Sequence, residues 1–269
     1  MCQPRDEGGR RCPDYKRLRE TTPSDLAPDP RDDVPDVTWQ KEDLSKVWGN
    51  DADGRADACA ALLTLERAKI SEPEMTETIM HVAHQAGGEC AYLQSRVKSP
   101  ESLARKIRTD REEYAARGVK LAPHAAAASM NDVVRYTIVR QDHNGLTEAT
   151  ASTVAQLQSQ GWTVKKIKSS YAEGATYKGL HIICESPSGQ AAEVQVHSAQ
   201  SLTAKEAAHK HYEIYRDRSR PPREKRRAKE ECQRIFAEVS TPPGLDAVGA
   251  MGRKDLIRVP VEKPAVSKS

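Results

Sequence analysis

The sequence predicts an α+β fold in which helices flank a mixed, mostly antiparallel sheet. Runs rich in β-branched residues alternate with segments whose apolar residues recur every three to four positions. Two of the strand-like runs, 180–185 and 191–197, are separated only by a short segment with proline and glycine where a type I turn favours them. That pair therefore predicts a hairpin. The polar, non-periodic ends predict disordered N- and C-terminal tails.

Each predicted element has a local reason. Apolar spacing predicts two helices ahead of Gly87. Ser99 followed by Pro100 supplies an N-cap and a first helical proline for the next helix, and Gly161 ends the one after it. The predicted helices are 57–68, 74–85, 99–114, 147–160, 204–216 and 223–239. Enrichment in β-branched residues predicts strands at 132–139, 162–167, 180–185 and 191–197.

The 269 residues suit one domain with tails. Six of the 16 prolines stand among many charges in residues 1–50, which predicts an irregular arm. The folded domain is expected at 51–240, followed by a disordered tail at 241–269. Within the domain, Cys184 and Trp162 are expected to be core residues.

The composition argues against several classes of protein. No apolar run approaches the roughly 20 residues of a membrane span, and no signal-peptide apolar segment opens the chain. We therefore expect a cytoplasmic protein without membrane contact.

The 42 Lys and Arg against 39 Asp and Glu leave a net charge of +3, which alone does not indicate a nucleic-acid binder. Six scattered cysteines without a Cys-x-x-Cys pair favour reduced thiols over a disulfide framework or a zinc site.

A cluster of cations marks the start of the 99–114 helix. Arg96 and Lys98 precede the helix, and Ser102 and Lys106 are four residues apart and so share one of its faces. A helix N-terminus offers unpaired N–H groups and the positive end of a dipole, which suits phosphate oxygens. By spacing alone, a solvated basic helix start is the simpler interpretation, and a triphosphate site is the alternative.

The second strand of the hairpin carries a row of polar side chains. Strict alternation predicts that Glu193, Gln195 and His197 face one way, away from the core. A carboxylate, an amide and an imidazole in a row could activate a hydroxyl or hold a metal ion. The simpler interpretation is the solvated face of an antiparallel sheet. Tyr177 and His181 lie just upstream, at the mouth of the partner strand.

Four motifs occur in order: Arg-x-Lys-Ser-x-x-Ser-x-x-x-Lys at 96–106, an Asp at 132 that opens a strand, Tyr-x-Gly-x-His at 177–181 and Glu-x-Gln-x-His at 193–197. Together they resemble the synthetase domain of the RelA/SpoT-like alarmone (ppGpp) synthetases, in its small single-domain or toxin-like form, over roughly residues 85–215. The resemblance implies a nucleotidyltransferase-like fold. It also implies an ATP-dependent pyrophosphokinase that uses Mg²⁺ and transfers a pyrophosphate to the 3′-hydroxyl of a nucleotide acceptor.

The resemblance also implies three groups of site residues. Those that would hold the ATP phosphates are Arg96, Lys98, Ser102 and Lys106. Those that would bind Mg²⁺ and act in catalysis are Asp132 and Glu193, and Glu193 would also accept the proton of the attacking hydroxyl. Those that would line the acceptor site are Tyr177, Gly179, His181, Gln195 and His197, with Tyr177 stacking on the base.

Four positions differ from the family pattern: Arg135, Thr137, Thr176 and His197. The family usually has glycine, arginine, glycine and arginine there. These changes lie nearer the acceptor than the donor, so the acceptor is left open between a GDP-, GTP- or AMP-like nucleotide and the 3′ end of tRNA.

Three functions remain in competition. They are an alarmone synthetase, a toxin-like member with a cognate antitoxin protein, and an inactive nucleotide-binding or interaction module. The segment from Arg216 to Lys229 has eight cations and two acids. This charge could bind an RNA backbone. The simpler interpretation is a solvated helix face.

Overall fold

The computed structural model describes residues 52–217, 219–248 and 257–258. The predictions of an irregular arm over 1–50 and of disorder over most of the C-terminal tail lie outside these residues. Two parts of that tail are ordered, as a short helix and a short strand, because they pack on other elements and not because of any local periodicity.

The described strands form one six-stranded sheet in the order β1-β2-β5-β4-β3-β6. Their bounds are β1 Glu89–Ala91, β2 Val134–Arg140, β3 Thr163–Ser169, β4 Leu180–Glu185, β5 Ala191–Ser198 and β6 Ile257–Arg258. Strand β1 pairs antiparallel with β2, whereas β6 pairs parallel with β3. The adjacent strands β4 and β5 are joined by the short loop 186–190, as a hairpin requires. The mixed sheet and the hairpin are therefore confirmed.

The helices are α1 Ala52–Gln85, α2 Pro100–Ala115, α3 Pro123–Ala128, α4 Leu146–Ser159, α5 Ala199–Arg216, α6 Pro222–Ala237 and α7 Leu245–Val248. Four of the six predicted helices are present with shifted ends, and α3 and α7 were not predicted. The two predicted N-terminal helices are wrong as separate elements, because α1 runs continuously through Pro73. Its buried residues, among them Leu65, Met75 and Ile79, continue on both sides of the proline, so packing outweighs the local preference to break.

The described residues divide into two compact units. The first holds the residues up to Ile79, Tyr92–Tyr136 and Glu185–Glu193, and the second holds Met80–Ala91, Thr137–Cys184 and the residues from Val194 onward. In the first unit, α2 packs on α3. Leu103 and Ile107, four residues apart on α2, are wholly buried there.

The second unit contains most of the sheet and the helices that follow it. Helix α4 packs on β3, and α5 packs on α6. Trp162 and Cys184 are both buried, which confirms the expectation that they belong to the core. Helix α6 buries Ala228, Cys232 and Phe236, which lie four residues apart along one stripe.

The cysteines only partly follow the prediction of reduced thiols. Cys90, Cys184 and Cys232 are free, but Cys59 is disulfide-bonded. Cys59 is almost wholly buried on α1. Across the part of the chain that the structure describes, no helix has the length and apolar character that a membrane crossing requires.

Candidate active site

The cations predicted to bind phosphate lie in the first unit, where the segment before α2 runs alongside the start of β2. The Lys98 N–H donates to the Val133 carbonyl over 2.9 Å, and the Arg135 N–H donates to the Arg96 carbonyl over 2.7 Å. Val97 and Val134 form an antiparallel bridge between these two hydrogen bonds. This pairing is what brings Lys98 beside Asp132, 34 positions later in the sequence.

Asp132 is held by two lysines. Its Oδ2 lies 3.1 Å from Lys98 Nζ, and its Oδ1 lies 2.7 Å from Lys106 Nζ. The exposed fraction of the side chain is 17% for Asp132, 17% for Lys98 and 39% for Lys106, so solvent can reach the cluster. Burial acts against a charged Asp132, but the two ammonium groups outweigh it and hold the pKa of the carboxyl below its usual value. The carboxylate is therefore ionised at neutral pH.

Arg135 is a member of this cluster that the sequence analysis treated only as a departure from the family pattern. Burial lowers the pKa of Lys98, and the charges of Arg135 and Lys106 add to that effect while Asp132 opposes it. Arg135 is exposed at the second position of β2, three residues after Asp132. The sequence signal that could have identified Arg135 as part of the cluster is its position three residues after Asp132.

Ser102 lies in the first turn of α2, close to these lysines in sequence. Its N–H donates to the Ser99 side chain over 3.2 Å, which is the predicted N-cap. Its Oγ accepts a hydrogen bond of 3.4 Å from Arg105. Ser102 is half-buried, so its hydroxyl stands beside an exposed guanidinium at the helix start.

Arg96 is placed differently from the prediction. Its guanidinium is buried, forms an ion pair with Glu72 of α1 and donates to the Leu93 carbonyl over 2.9 Å. Glu72 in turn accepts from Thr76, whose hydroxyl lies 2.9 Å from that of Tyr136. Because a buried carboxylate already neutralises its charge, we assign Arg96 to the interior of this unit and not to the ATP phosphates.

The residues of this cluster fit a magnesium ion only in the company of a nucleotide. Among the described residues, no group of three or more His, Cys, Asp or Glu side chains could hold a metal ion. Magnesium is commonly bound by one or two carboxylates together with substrate phosphates. Asp132 has the charge for this role, but each of its oxygens already contacts an ammonium group. Phosphates that draw the lysines away would leave it able to bind the ion.

The sequence favoured a solvated face for the polar row on β5, but in the structure this row is covered. Glu193 is half-buried and belongs to the first unit, whereas Gln195 and His197 are buried in the second. Helix α5 supplies the cover: Lys205 Nζ donates to Gln195 Oε1 over 2.9 Å, and Ser201 Oγ lies 2.9 Å from His197 Nδ1. The alternation predicts the direction of these side chains but not the helix that packs over them.

The predicted acceptor residues Tyr177, Gly179, His181 and His197 come together in the second unit. The Tyr177 hydroxyl lies 2.8 Å from His197 Nε2. The Tyr177 ring makes edge contacts with His181 and His197, at centroid distances of 5.4 and 5.7 Å. A methyl group on Gly179 would lie 2.5 Å from the Tyr177 hydroxyl, so only glycine fits there without displacing the ring.

Burial, assisted by the charges of Lys205 and His181, lowers the pKa of His197 well below its ordinary value of 6.5. The imidazole is therefore neutral at physiological pH. Ser201 and Lys205 are neighbours that the sequence analysis did not single out. Ser201 was detectable in principle, because it stands four residues after His197 at the start of a helix.

No protein-family model and no curated protein matches this chain. Several solved structures resemble it. The type VI effector Tas1, solved in complex with its immunity protein, has a TM-score of 0.41 and 18% identity, with 68% of this chain and 94% of that chain covered. A GTP pyrophosphokinase family protein from Streptococcus pneumoniae has a TM-score of 0.38 and 16% identity, covering 70% and 92%.

The small alarmone synthetase 1 from Bacillus subtilis, bound to its product pppGpp, has a TM-score of 0.32 and 15% identity. There the overlap covers 49% of this chain and 69% of that chain. These structures include the family that the sequence motifs resemble. Similarity at this level assigns no activity to this chain.

Proposed function

We propose that this protein is a pyrophosphokinase that transfers the terminal diphosphate of ATP to a hydroxyl group of a nucleotide acceptor. The observation that carries the proposal is the contact of Lys98 and Lys106 with Asp132 beside the start of α2. Two partly exposed ammonium groups and the N–H groups of a helix start suit the phosphates of ATP. A carboxylate of lowered pKa in their midst suits the magnesium ion that accompanies them.

In the proposed reaction the acceptor oxygen forms a bond to the β-phosphorus of ATP. The bond between that phosphorus and the oxygen bridging to the α-phosphate breaks, and AMP leaves with the bridging oxygen. Glu193, half-buried on β5, would accept the proton of the attacking hydroxyl. Lys98 and Lys106 would hold the transferred phosphates and offset their negative charge. Magnesium, when bound, would neutralise further charge on the phosphate oxygens.

The acceptor is proposed to contact Tyr177, which is only half-buried. Its ring could stack on a nucleobase, with His181 at its edge. Gln195 is buried beneath Lys205, so any contact with the acceptor would need that lysine to move. The base itself is left open by these residues.

The proposal is tested by incubating the protein with ATP labelled at the β- or γ-phosphate and with GDP, GTP, AMP or tRNA in turn. We expect label on one acceptor and AMP in equal amount. Lys98→Ala and Lys106→Ala should each weaken ATP binding by about tenfold or more, because a charge-assisted hydrogen bond is lost. Lys120→Ala is the matched control, since Lys120 is exposed in a loop of the same unit.

The outcomes separate the competing functions. ATP binding that depends on both lysines, without transfer to any acceptor, would indicate an inactive nucleotide-binding module. Unchanged ATP affinity in both lysine variants, measured by calorimetry, would reject the phosphate site itself.

A second candidate is transfer to the 3′ end of tRNA, and one observation favours it. Arg223, Arg226 and Arg227 are all exposed on α6, whose buried stripe lies elsewhere on the helix. Exposed arginines of this density suit an RNA backbone. A toxic product of this kind would imply a neutralising antitoxin protein, which co-expression could reveal as restored growth of the host.

A further inference from the structure

We propose that His197 is a positioning residue for Tyr177, which it holds in place for the acceptor without touching the acceptor itself. The proposal rests on the function proposed above. His197 is wholly buried, so an acceptor at the surface cannot reach its imidazole. Tyr177 is only half-buried, and its hydroxyl lies 2.8 Å from His197 Nε2. The hydrogen bond to Tyr177 therefore connects His197 to the acceptor site.

The imidazole is anchored on its other side. Its Nδ1 lies 2.9 Å from Ser201 Oγ, in the first turn of α5. Ser201 forms a reciprocal capping box with Ser198, so its hydroxyl belongs to a fixed helix start. The Ser201 hydroxyl also donates to the Ser198 carbonyl over 3.2 Å.

Both ring nitrogens of His197 have a hydroxyl partner, Ser201 at Nδ1 and Tyr177 at Nε2. A neutral imidazole has one donor and one acceptor nitrogen. Because a hydroxyl can donate or accept, both tautomers fit these two contacts. Both nitrogens are then satisfied, and the phenol is tied to the start of α5 through one rigid ring.

Gly179 and Phe236 complete the support. An added Cβ at Gly179 would lie 2.5 Å from the Tyr177 hydroxyl and 2.9 Å from His197 Cε1, so the backbone leaves room only for the hydrogen-bonded pair. Gly179 is itself fixed, because its N–H donates to Ser170 Oγ over 3.1 Å. The Phe236 ring lies 5.7 Å from the Tyr177 ring, measured between centroids, at an angle of 63°. The ring is thus restrained at its hydroxyl and along its edge.

The test compares Tyr177→Phe, His197→Ala and the double variant. Each single change should raise the KM for the acceptor about tenfold, the loss expected from one buried hydrogen bond that orders the ring. The KM for ATP should stay the same. The double variant should be no worse than either single variant, because both remove the same interaction. Additive effects, or an unchanged acceptor KM in an active protein, would overturn the proposal.

Two conservative variants separate positioning from mere stability. The amide of a glutamine reaches the place of Nε2, so His197→Gln should recover most of the acceptor affinity. An asparagine replaces only Nδ1, so His197→Asn should behave like His197→Ala. Thr153→Val is the matched control, because it removes a buried hydrogen bond of 2.8 Å on α4 of the same unit and should lower stability without changing any KM. Equal acceptor KM values for the glutamine and asparagine variants would contradict the proposal.

A spectroscopic measurement keeps this inference separate from the proposed function. In protein labelled with ¹⁵N-histidine, the His197 Nε2 resonance should shift in Tyr177→Phe, whether or not the protein transfers pyrophosphate. Absence of transfer by the wild type together with that shift would reject the function and leave the hydrogen bond standing. Absence of the shift would reject the positioning role.

Discussion

The contacts of Asp132 predict how nucleotide binding depends on metal. Asp132→Asn keeps the size of the side chain and removes its charge, so Lys98 and Lys106 lose the carboxylate that neutralises them. In the wild type, phosphates must compete with that carboxylate for both lysines. We therefore expect the variant to bind ATP more tightly than the wild type when EDTA removes the metal.

The size of the effect follows from the geometry. The two contacts, of 3.1 and 2.7 Å, join groups that are partly exposed, so solvent screening limits each to about 1 kcal/mol. Releasing both lysines would then improve metal-free ATP affinity by roughly 30-fold, since 1.4 kcal/mol corresponds to a factor of ten. If only one lysine reaches the phosphates, the gain falls to about fivefold.

Calorimetric titration with ATP, in EDTA and in excess magnesium, measures both expectations. Magnesium should strengthen ATP binding to the wild type, whereas Asp132→Asn should bind equally well with and without it. Asp110→Asn is the matched control, because Asp110 lies one turn beyond Lys106 on α2 and burial raises its pKa. Weaker metal-free binding by a folded Asp132→Asn protein would refute the reasoning.

Three further predictions concern the base, the partner and pH. Glu193→Gln should lower turnover by about 10² while ATP affinity is retained, and near wild-type transfer by that variant would exclude Glu193 as the base. Replacing Arg223, Arg226 and Arg227 with glutamate should weaken tRNA binding and reduce its salt slope by up to about three, while an unchanged slope would leave α6 as a solvated surface. Because the folded protein keeps His197 neutral and the unfolded chain protonates it below its ordinary pKa of 6.5, acid should destabilise the wild type. Between pH 6 and 5 the free energy of unfolding of the wild type should fall by about 1.4 kcal/mol per pH unit because of His197, and His197→Gln should lack this contribution. Urea unfolding at several pH values measures it. The same pH dependence of stability in both proteins would contradict the prediction.

Local patterns predicted most of the secondary structure. The hairpin of β4 and β5 follows from the turn residues between two strand-like runs, and the N-cap of α2 follows from Ser99. The continuity of α1 was not predictable, because Pro73 argues locally for a break and only burial on both sides overrides it. Strand β6 has two residues and forms only by pairing with β3.

The candidate site was predictable as a set of residue types but not as a set of contacts. The motif spacing identified Lys98, Lys106 and Asp132, which the structure brings together. It could not separate Arg96 from them, because the partner of Arg96 is Glu72, 24 residues earlier on another helix. Strand alternation likewise cannot predict burial by an element that follows later in the chain, which is why Gln195 was expected at a solvated face.

The departure from the family pattern at position 197 has a physical reason in this fold. The groups that interact with His197 are the hydroxyls of Tyr177 and Ser201 and the rings and cations around them. An arginine has five N–H donors and keeps its charge in proteins, so at this wholly buried position it would add a second cation near Lys205. We therefore expect His197→Arg to destabilise the fold by about 3–5 kcal/mol, measured by urea unfolding against His197→Gln. Equal stability of the two variants would show that the position can open to solvent, and would remove the burial of His197 as the basis for its role.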